Sequence, residues 1–261
     1  MSYKNCLASK SAAVSSLVAA ATLCFSAMAS AAPLASFDGG LPGGWTGMGG
    51  YGTSGEDGVV TASPNGGAYG WVSTNGGVNG TTLPGGGSVG GSFVQTSVFS
   101  VNAGDRLSFD FNYITSDGGR YADYAWVRLL SADLTQSTML LTVRTTPDGN
   151  DLTGAQSQGS SNVSIIGGAP VWSPLGADSG ECFDIGCGYT GWLNMSFDIA
   201  DAGDYILEFG VSGWRDMDYH SGLAFDGITV GGDSQVPEPA SLALLGLGLA
   251  GLAWGRRRQI V

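Results

Sequence analysis

The chain has one histidine, His220, followed directly by Ser221 and preceded by Asp216 and Asp218. Those are the residue types of a base, a nucleophile and an orienting acid. A relay of that kind works only where the three converge beside an oxyanion hole. Adjacent side chains on an extended segment point to opposite faces, so the spacing predicts a solvent-facing loop histidine. Glycoside hydrolysis needs two carboxylates roughly 5–10 Å apart. With 22 acidic residues in the chain, some pair meets that separation by accident, and the sequence singles none out. Gly47-Met48-Gly49-Gly50-Tyr51-Gly52 and Gly85-Gly86-Gly87-Ser88-Val89-Gly90 both match G-x-G-x-x-G. Neither follows a strand and opens a helix, as a dinucleotide fingerprint must.

Hard oxygen ligands are plentiful. Asp117 with Asp123, and Asp216 with Asp218, are oxygen ligands of a kind that suits Ca²⁺ on glycine-rich loops; they lack the spacing of a defined Ca²⁺ loop and are expected to be solvated turn acids. Cys182 and Cys187 are too few, with one distant histidine, to hold zinc. In an exported protein they predict a local disulfide closing a short loop, with an entropic stabilisation of ~2 kcal/mol. Tryptophan supplies a different chemistry, because an exposed indole stacks on a sugar ring. Trp192 lies opposite the apolar face of its strand and Trp214 lies in a polar segment, so these two are the candidate sugar platforms. Trp45, Trp71, Trp126 and Trp172 are expected in the core.

The elements that position these residues read as strands. Leu107, Phe109, Phe111 and Tyr113 alternate with Ser108, Asp110 and Asn112; Tyr205, Leu207, Phe209 and Val211 alternate with Ile206, Glu208 and Gly210; Leu193, Met195, Phe197 and Ile199 repeat the pattern. Period two with one apolar face is the signature of a half-buried antiparallel strand. Further strands are expected at 58–62, 69–73, 92–101, 124–131, 138–144 and 223–230, and no sustained helical period appears between the chain's ends. FSVNAGDRLSFDF from Phe99 and FDIADAGDYILEFG from Phe197 look alike, and each predicts a hairpin turning at Ala-Gly-Asp, with glycine at positive φ. Glycine totals 45 residues, and its clusters between strands predict turns. The whole is expected to be one all-β domain over 32–230, an antiparallel two-sheet jelly-roll sandwich, with 231–235 as a linker.

The charge is distributed unevenly. Five of the ten Lys and Arg residues and one of the 22 acids lie in the two end segments, leaving 21 acids against 5 bases between them. That excess has the wrong sign for a phosphate backbone, and nucleic acid is excluded as a partner.

The ends are of another kind. Lys4 and Lys10 precede an apolar stretch from Ala12 to Ala29, followed by Ala27-Met28-Ala29 and Ala29-Ser30-Ala31. This is the layout of a secretory signal peptide over 1–31, cut after Ala29 or Ala31. At the other end, Val236-Pro237-Glu238-Pro239 is stiff and extended, Ala240 to Trp254 is uncharged and nearly all apolar, and Arg256, Arg257 and Arg258 follow. An apolar run closed by basic residues is a membrane segment whose arginines stay in the cytoplasm. Fifteen helical residues reach only ~22 Å against a ~30 Å hydrocarbon core, short for a permanent anchor and sufficient for a transient one. The order Pro-Glu-Pro, apolar helix, arginine cluster over 236–261 resembles the PEP-CTERM sorting signal of Gram-negative bacteria. The resemblance implies an exosortase, a membrane cysteine protease, as partner, and release or relocation of the exported part to the cell surface or outside it.

Two further motifs frame the domain: Ser36-Phe37-Asp38 at its start and Ala224-Phe225-Asp226-Gly227-Ile228-Thr229-Val230 at its end. They resemble the ends of carbohydrate-binding-module-like jelly rolls. That resemblance implies that the terminal strands pair and that Asp38 and Asp226 share a structural Ca²⁺. Three functions follow as expectations: a non-enzymatic surface or matrix protein associated with exopolysaccharide and biofilm, a carbohydrate-binding module, and an enzyme acting on matrix glycans.

Overall fold

Fourteen strands form in the computed structural model, which describes residues 31–80, 89–145 and 164–231. They are β1 (Ala32–Pro33), β2 (Thr46–Met48), β3 (Gly50–Ser54), β4 (Tyr69–Ser73), β5 (Gly90–Gln95), β6 (Phe99–Val101), β7 (Arg106–Thr115), β8 (Tyr124–Ser131), β9 (Ser137–Arg144), β10 (Ile166–Gly167), β11 (Gly188–Tyr189), β12 (Leu193–Asp198), β13 (Gly203–Gly213) and β14 (Ser221–Gly231). The only helical element among the described residues is a 3₁₀ turn at Ser173–Asp178. Every pairing is antiparallel. One sheet runs β10-β11-β7-β14-β4-β3, with β1 added to β14 and β12 to β7; the other runs β2-β5-β13-β8-β9, with β6 added to β13.

The two sheets close on one core. The alternating residues expected to face inward do so: Leu107, Phe109, Phe111 and Tyr113 from β7 and Leu207, Phe209 and Val211 from β13 are buried together. The chain ends meet as expected. Ala32 and Pro33 pair with Val230 and Thr229, and Phe37 and Phe225 contact each other edge to face at 5.6 Å in the core.

Three expectations about local structure need correction. The strand expected at 92–101 is broken at 96–98 into β5 and β6, which pair with different parts of β13. Residues 58–62 form no strand; Asp57 and Val60 make an isolated bridge, and Val60 belongs to a second apolar cluster on the outer face of the larger sheet, with Tyr69, Ile114, Trp172, Leu175 and Ala224. This segment and the 3₁₀ turn cover that face, which is why an apolar run appears there without a ladder.

The two look-alike segments are not hairpins. β6 lies in one sheet and β7 in the other, and so do β13 and β12. Each Ala-Gly-Asp turn is an arch that carries the chain across the sandwich. The copies pair with each other, β12 with β7 and β6 with β13, and their turns interlock through Gly104 N to Ile199 O at 2.7 Å and Ile199 N to Asp105 O at 2.8 Å. That mutual pairing explains the likeness of segments 98 residues apart. Gly104 has φ +86° as its turn requires, whereas Gly203 is already in the strand that pairs with Val101.

Candidate functional site

Three carboxylates from three elements hold one loop. Asp38, from the segment after β1, accepts the Ala68 amide at 2.9 Å. Asp110 of β7 accepts the Asn65 side-chain amide at 2.7 Å. Asp226 of β14 accepts the Ser63 hydroxyl. The loop 63–68 packs so closely that a Cβ at Gly67 would lie on the Asp38 carboxylate, and one at Gly227 would meet Asn65 and Asp110. Burial pushes the Asp226 carboxyl above its ordinary pKa, and repulsion from Asp110 and Asp38 adds to the rise. The two terminal acids therefore do share a neighbourhood. As they stand, each is engaged by a loop donor, and among the described residues no three His, Cys, Asp or Glu side chains gather to hold a metal ion.

At one end of the sandwich Asp117 and Asp123, 1% and 3% exposed, are buried in the connection from β7 to β8. Asp117 Oδ1 accepts the Gly118 amide at 2.7 Å, and its Oδ2 meets no donor among the described residues. Desolvation raises its pKa to about 7, opposed by the Gly118 bond and assisted by repulsion from Asp216. Asp123 Oδ1 accepts the Trp214 amide at 3.1 Å; burial and then the Asp117 charge push its pKa well up. His220 is half-buried, its Nδ1 at 3.2 Å from Thr74 Oγ1 and its Nε2 at 3.7 Å from Asp178. Desolvation holds its pKa below the usual value. The Ser221 hydroxyl is buried and bonded to Thr115 Oγ1 at 2.7 Å, so His220 and Ser221 do not face each other. His220 lies against the inner loops rather than free in solvent.

Beside these acids Cys182 and Cys187 form the expected disulfide, with a Cα–Cα distance of 5.7 Å. The loop it closes is anchored by Phe183 N to Ser116 O at 2.9 Å and Gly119 N to Ile185 O at 3.0 Å.

Trp192 is partly buried, edge-on to Tyr69 at 5.6 Å, and its Nε1 donates to Thr61 O at 3.0 Å. Trp214 is partly buried as well, with the Arg144 guanidinium over its ring at 5.2 Å and Tyr124 against its edge. Trp45, Trp126 and Trp172 are buried. Trp71 departs from the core expectation. It stands on the outer face of β4 and lines an open groove of ≈ 480 Å³ with Thr53, Ser54, Glu56, Asp57, Asn75 and Ser173–Pro174.

The groove lies between β3, the edge strand, and the 3₁₀ turn. Its walls are fixed by Ser173 N to Asp57 Oδ2 at 2.8 Å, Ser73 Oγ to Pro174 O at 2.7 Å and the Trp172 Nε1 to Tyr69 hydroxyl bond at 3.0 Å. The Trp71 indole lies across Gly52, where a Cβ would come within 2.9 Å of Cζ2, and Trp172 packs edge-to-face against it. The signal for this groove was present in strand parity: Val72 faces the core, so Trp71 faces outward.

Residues 235–258 match the model of the PEP-CTERM protein-sorting motif. The motif implies export, passage through the membrane to the cell surface, and processing by an exosortase. Val236-Pro237-Glu238-Pro239, the apolar run 240–254 and Arg256–Arg258 lie outside the described residues, as does the N-terminal segment 1–30. Among the described residues no helix is long and apolar enough to cross a membrane. No curated protein matches the sequence.

Among solved structures, the chain is similar to the K1 cleaved adhesin domain of Lys-gingipain from Porphyromonas gingivalis W83, at 13% identity and a TM-score of 0.42, over 80% of this chain and 100% of that one. It is also similar to carbohydrate-binding modules of the β-sandwich superfamily, at 11% identity and a TM-score of 0.34, over 74% and 59%. A third is a Clostridium thermocellum xylanase 10B fragment holding CBM22-1 and GH10 modules, at 11% and 0.28, over 76% and 27%.

Proposed function

We propose that this chain is an exported, non-catalytic protein of the cell surface or extracellular matrix, processed through its C-terminal tail and associated with exopolysaccharide or biofilm. The sorting motif at 235–258 is the observation that carries this reading. On it, residues 1–31 are removed as a signal peptide, and 32–230 form the exported jelly-roll domain. The linker 231–235 leads to Val236-Pro237-Glu238-Pro239, the element the exosortase reads. The apolar run 240–254 holds the protein in the membrane until cleavage, with Arg256, Arg257 and Arg258 fixing orientation from the cytoplasm.

Cells with and without the exosortase separate this from a plain short anchor. With the enzyme, the protein should lose mass and leave the membrane fraction. Without it, or with Glu238→Ala, the full mass should persist in the membrane while the domain's melting temperature is unchanged. Release indifferent to both the enzyme and the motif would refute the sorting role.

A second reading is a carbohydrate-binding module, and the half-buried indoles of Trp71, Trp192 and Trp214 at the surface favour it. Trp71 lines the open groove between β3 and the 3₁₀ turn. A structural Ca²⁺ at Asp38 and Asp226 belongs to the same reading. The ion would relieve the repulsion that Asp226 feels from Asp38. It would have to displace donors of the 63–68 loop. Adding Ca²⁺ to metal-free protein should then raise the melting temperature, and Asp226→Asn should abolish the rise. An unchanged melting temperature leaves the loop hydrogen bonds alone as the latch.

A further inference from the structure

The Trp71 groove has a composition that selects among glycans. Its floor is an indole whose Nε1–H has no protein acceptor among the described residues. Its rim carries two acids, Glu56 and Asp57, and no basic residue. Glu56 is exposed and its carboxylate makes no hydrogen bond among the described residues; Asp57 uses one oxygen for Ser173 N and keeps the other. Asn75 adds an amide that can donate or accept. The five bases between the end segments, Arg106, Arg120, Arg128, Arg144 and Arg215, all lie elsewhere.

We infer that this groove binds a hexosamine unit bearing a free ammonium group, within a partly de-N-acetylated amino-sugar polymer. The apolar face of the pyranose stacks on Trp71. The ammonium sits between the indole, whose ring face attracts cations, and the carboxylates of Glu56 and Asp57, which make charge-assisted hydrogen bonds to it. Sugar hydroxyls find donors in Trp71 Nε1–H and Asn75. A uronate polymer brings negative charge to a rim that is already negative and is repelled. An N-acetylated unit offers no cation and leaves both carboxylates without a charged partner. The volume falls in the range of small-molecule sites, ~300–1,000 Å³. Among the described residues β3 pairs only with β4, so the groove follows an edge strand, and an open groove of this kind accepts the interior of a polymer as well as its end.

The inference rests on the reading that the protein meets polysaccharide outside the cell, and one set of measurements keeps the two apart. The exported protein is titrated calorimetrically with glucosamine hexamer, N-acetylglucosamine hexamer, a hexameric uronate and choline, and its co-fractionation with extracellular polysaccharide is followed in parallel. Glucosamine hexamer should bind at least tenfold more tightly than the other three, with affinity falling as salt rises. Trp71→Ala should lower that affinity more than tenfold. Glu56→Gln, at an exposed position that leaves the fold untouched, should lower it several-fold.

Equal binding of the N-acetylated hexamer overturns the charge selection, and equal binding of choline overturns the sugar platform. Affinity unchanged in Glu56→Gln and in a folded Trp71→Ala protein places binding elsewhere and overturns the site. If no glucosamine oligomer binds while the protein still co-fractionates with polysaccharide, the inference fails and the matrix reading stands. Loss of co-fractionation in the parent protein refutes the matrix reading itself.

Discussion

Phe225→Ala is expected to destabilise the domain by about 3–5 kcal/mol. Phe225 is fully buried and is the ring on which the two ends of the domain converge. It stacks on Phe209 from the opposite sheet at 3.9 Å, lies parallel to Trp45 at 6.3 Å and meets Phe37 edge-on at 5.6 Å. Gly70, its neighbour on β4, has given up a side chain to make room: a Cβ there would reach 2.4 Å from the Phe225 ring and 2.8 Å from Phe37. Truncating Phe225 therefore removes its own transfer free energy and leaves a cavity lined by three aromatic residues that rigid strands cannot close. The check is urea unfolding of the exported protein, with a lowered midpoint at an unchanged denaturant slope. A loss below ~1 kcal/mol would mean that the three rings do not pack on Phe225 as described.

That cluster also shows how far the sequence could be read. Ser36-Phe37-Asp38 and Ala224-Phe225-Asp226 were legible as partners, and the phenylalanines meet in the core while the aspartates hold one loop. Asp110 and the 63–68 loop were not legible, because a loop's donors carry no periodic signal and their acids are distant in sequence. β8 was expected at 124–131 and lies there, since the run Tyr124 to Leu130 is aromatic and aliphatic except for Arg128. β2, β3, β10 and β11 are short and rich in glycine and polar residues, and period-two alternation needs more residues than they have. The arches were misread for a different reason. Turn chemistry fixes where the chain reverses, whereas the sheet that receives it depends on long-range pairing between β12 and β7 and between β6 and β13. Trp71 was expected in the core; the outer face of the larger sheet is half-covered, and an indole can sit at the margin of that cover.

The buried acids at the end of the sandwich set the second large effect. Burial pushes the Asp117 carboxyl well above the usual aspartate range, up to about 7. A carboxyl whose pKa is raised on folding stabilises the native state fully below its unfolded pKa, and that contribution is lost as pH rises through the folded value. Between about pH 4 and pH 7 the native state binds the extra proton, so stability should fall with rising pH by roughly 2–4 kcal/mol from this group alone. Asp123 carries the same sign, because its pKa is raised as well. His220 acts the other way: its pKa is lowered, so its contribution is present above ~6.5 and is lost as pH falls.

The difference between Asp117→Asn and the parent isolates one group from these opposing slopes. The amide cannot ionise, so the variant should be more stable than the parent at pH 8, and the advantage should vanish by about pH 4. Unfolding free energies measured across that range decide the matter. A variant that is less stable than the parent at pH 8, with a parallel pH profile, would show that the Asp117 carboxylate is better solvated than its burial and its partnerless Oδ2 imply.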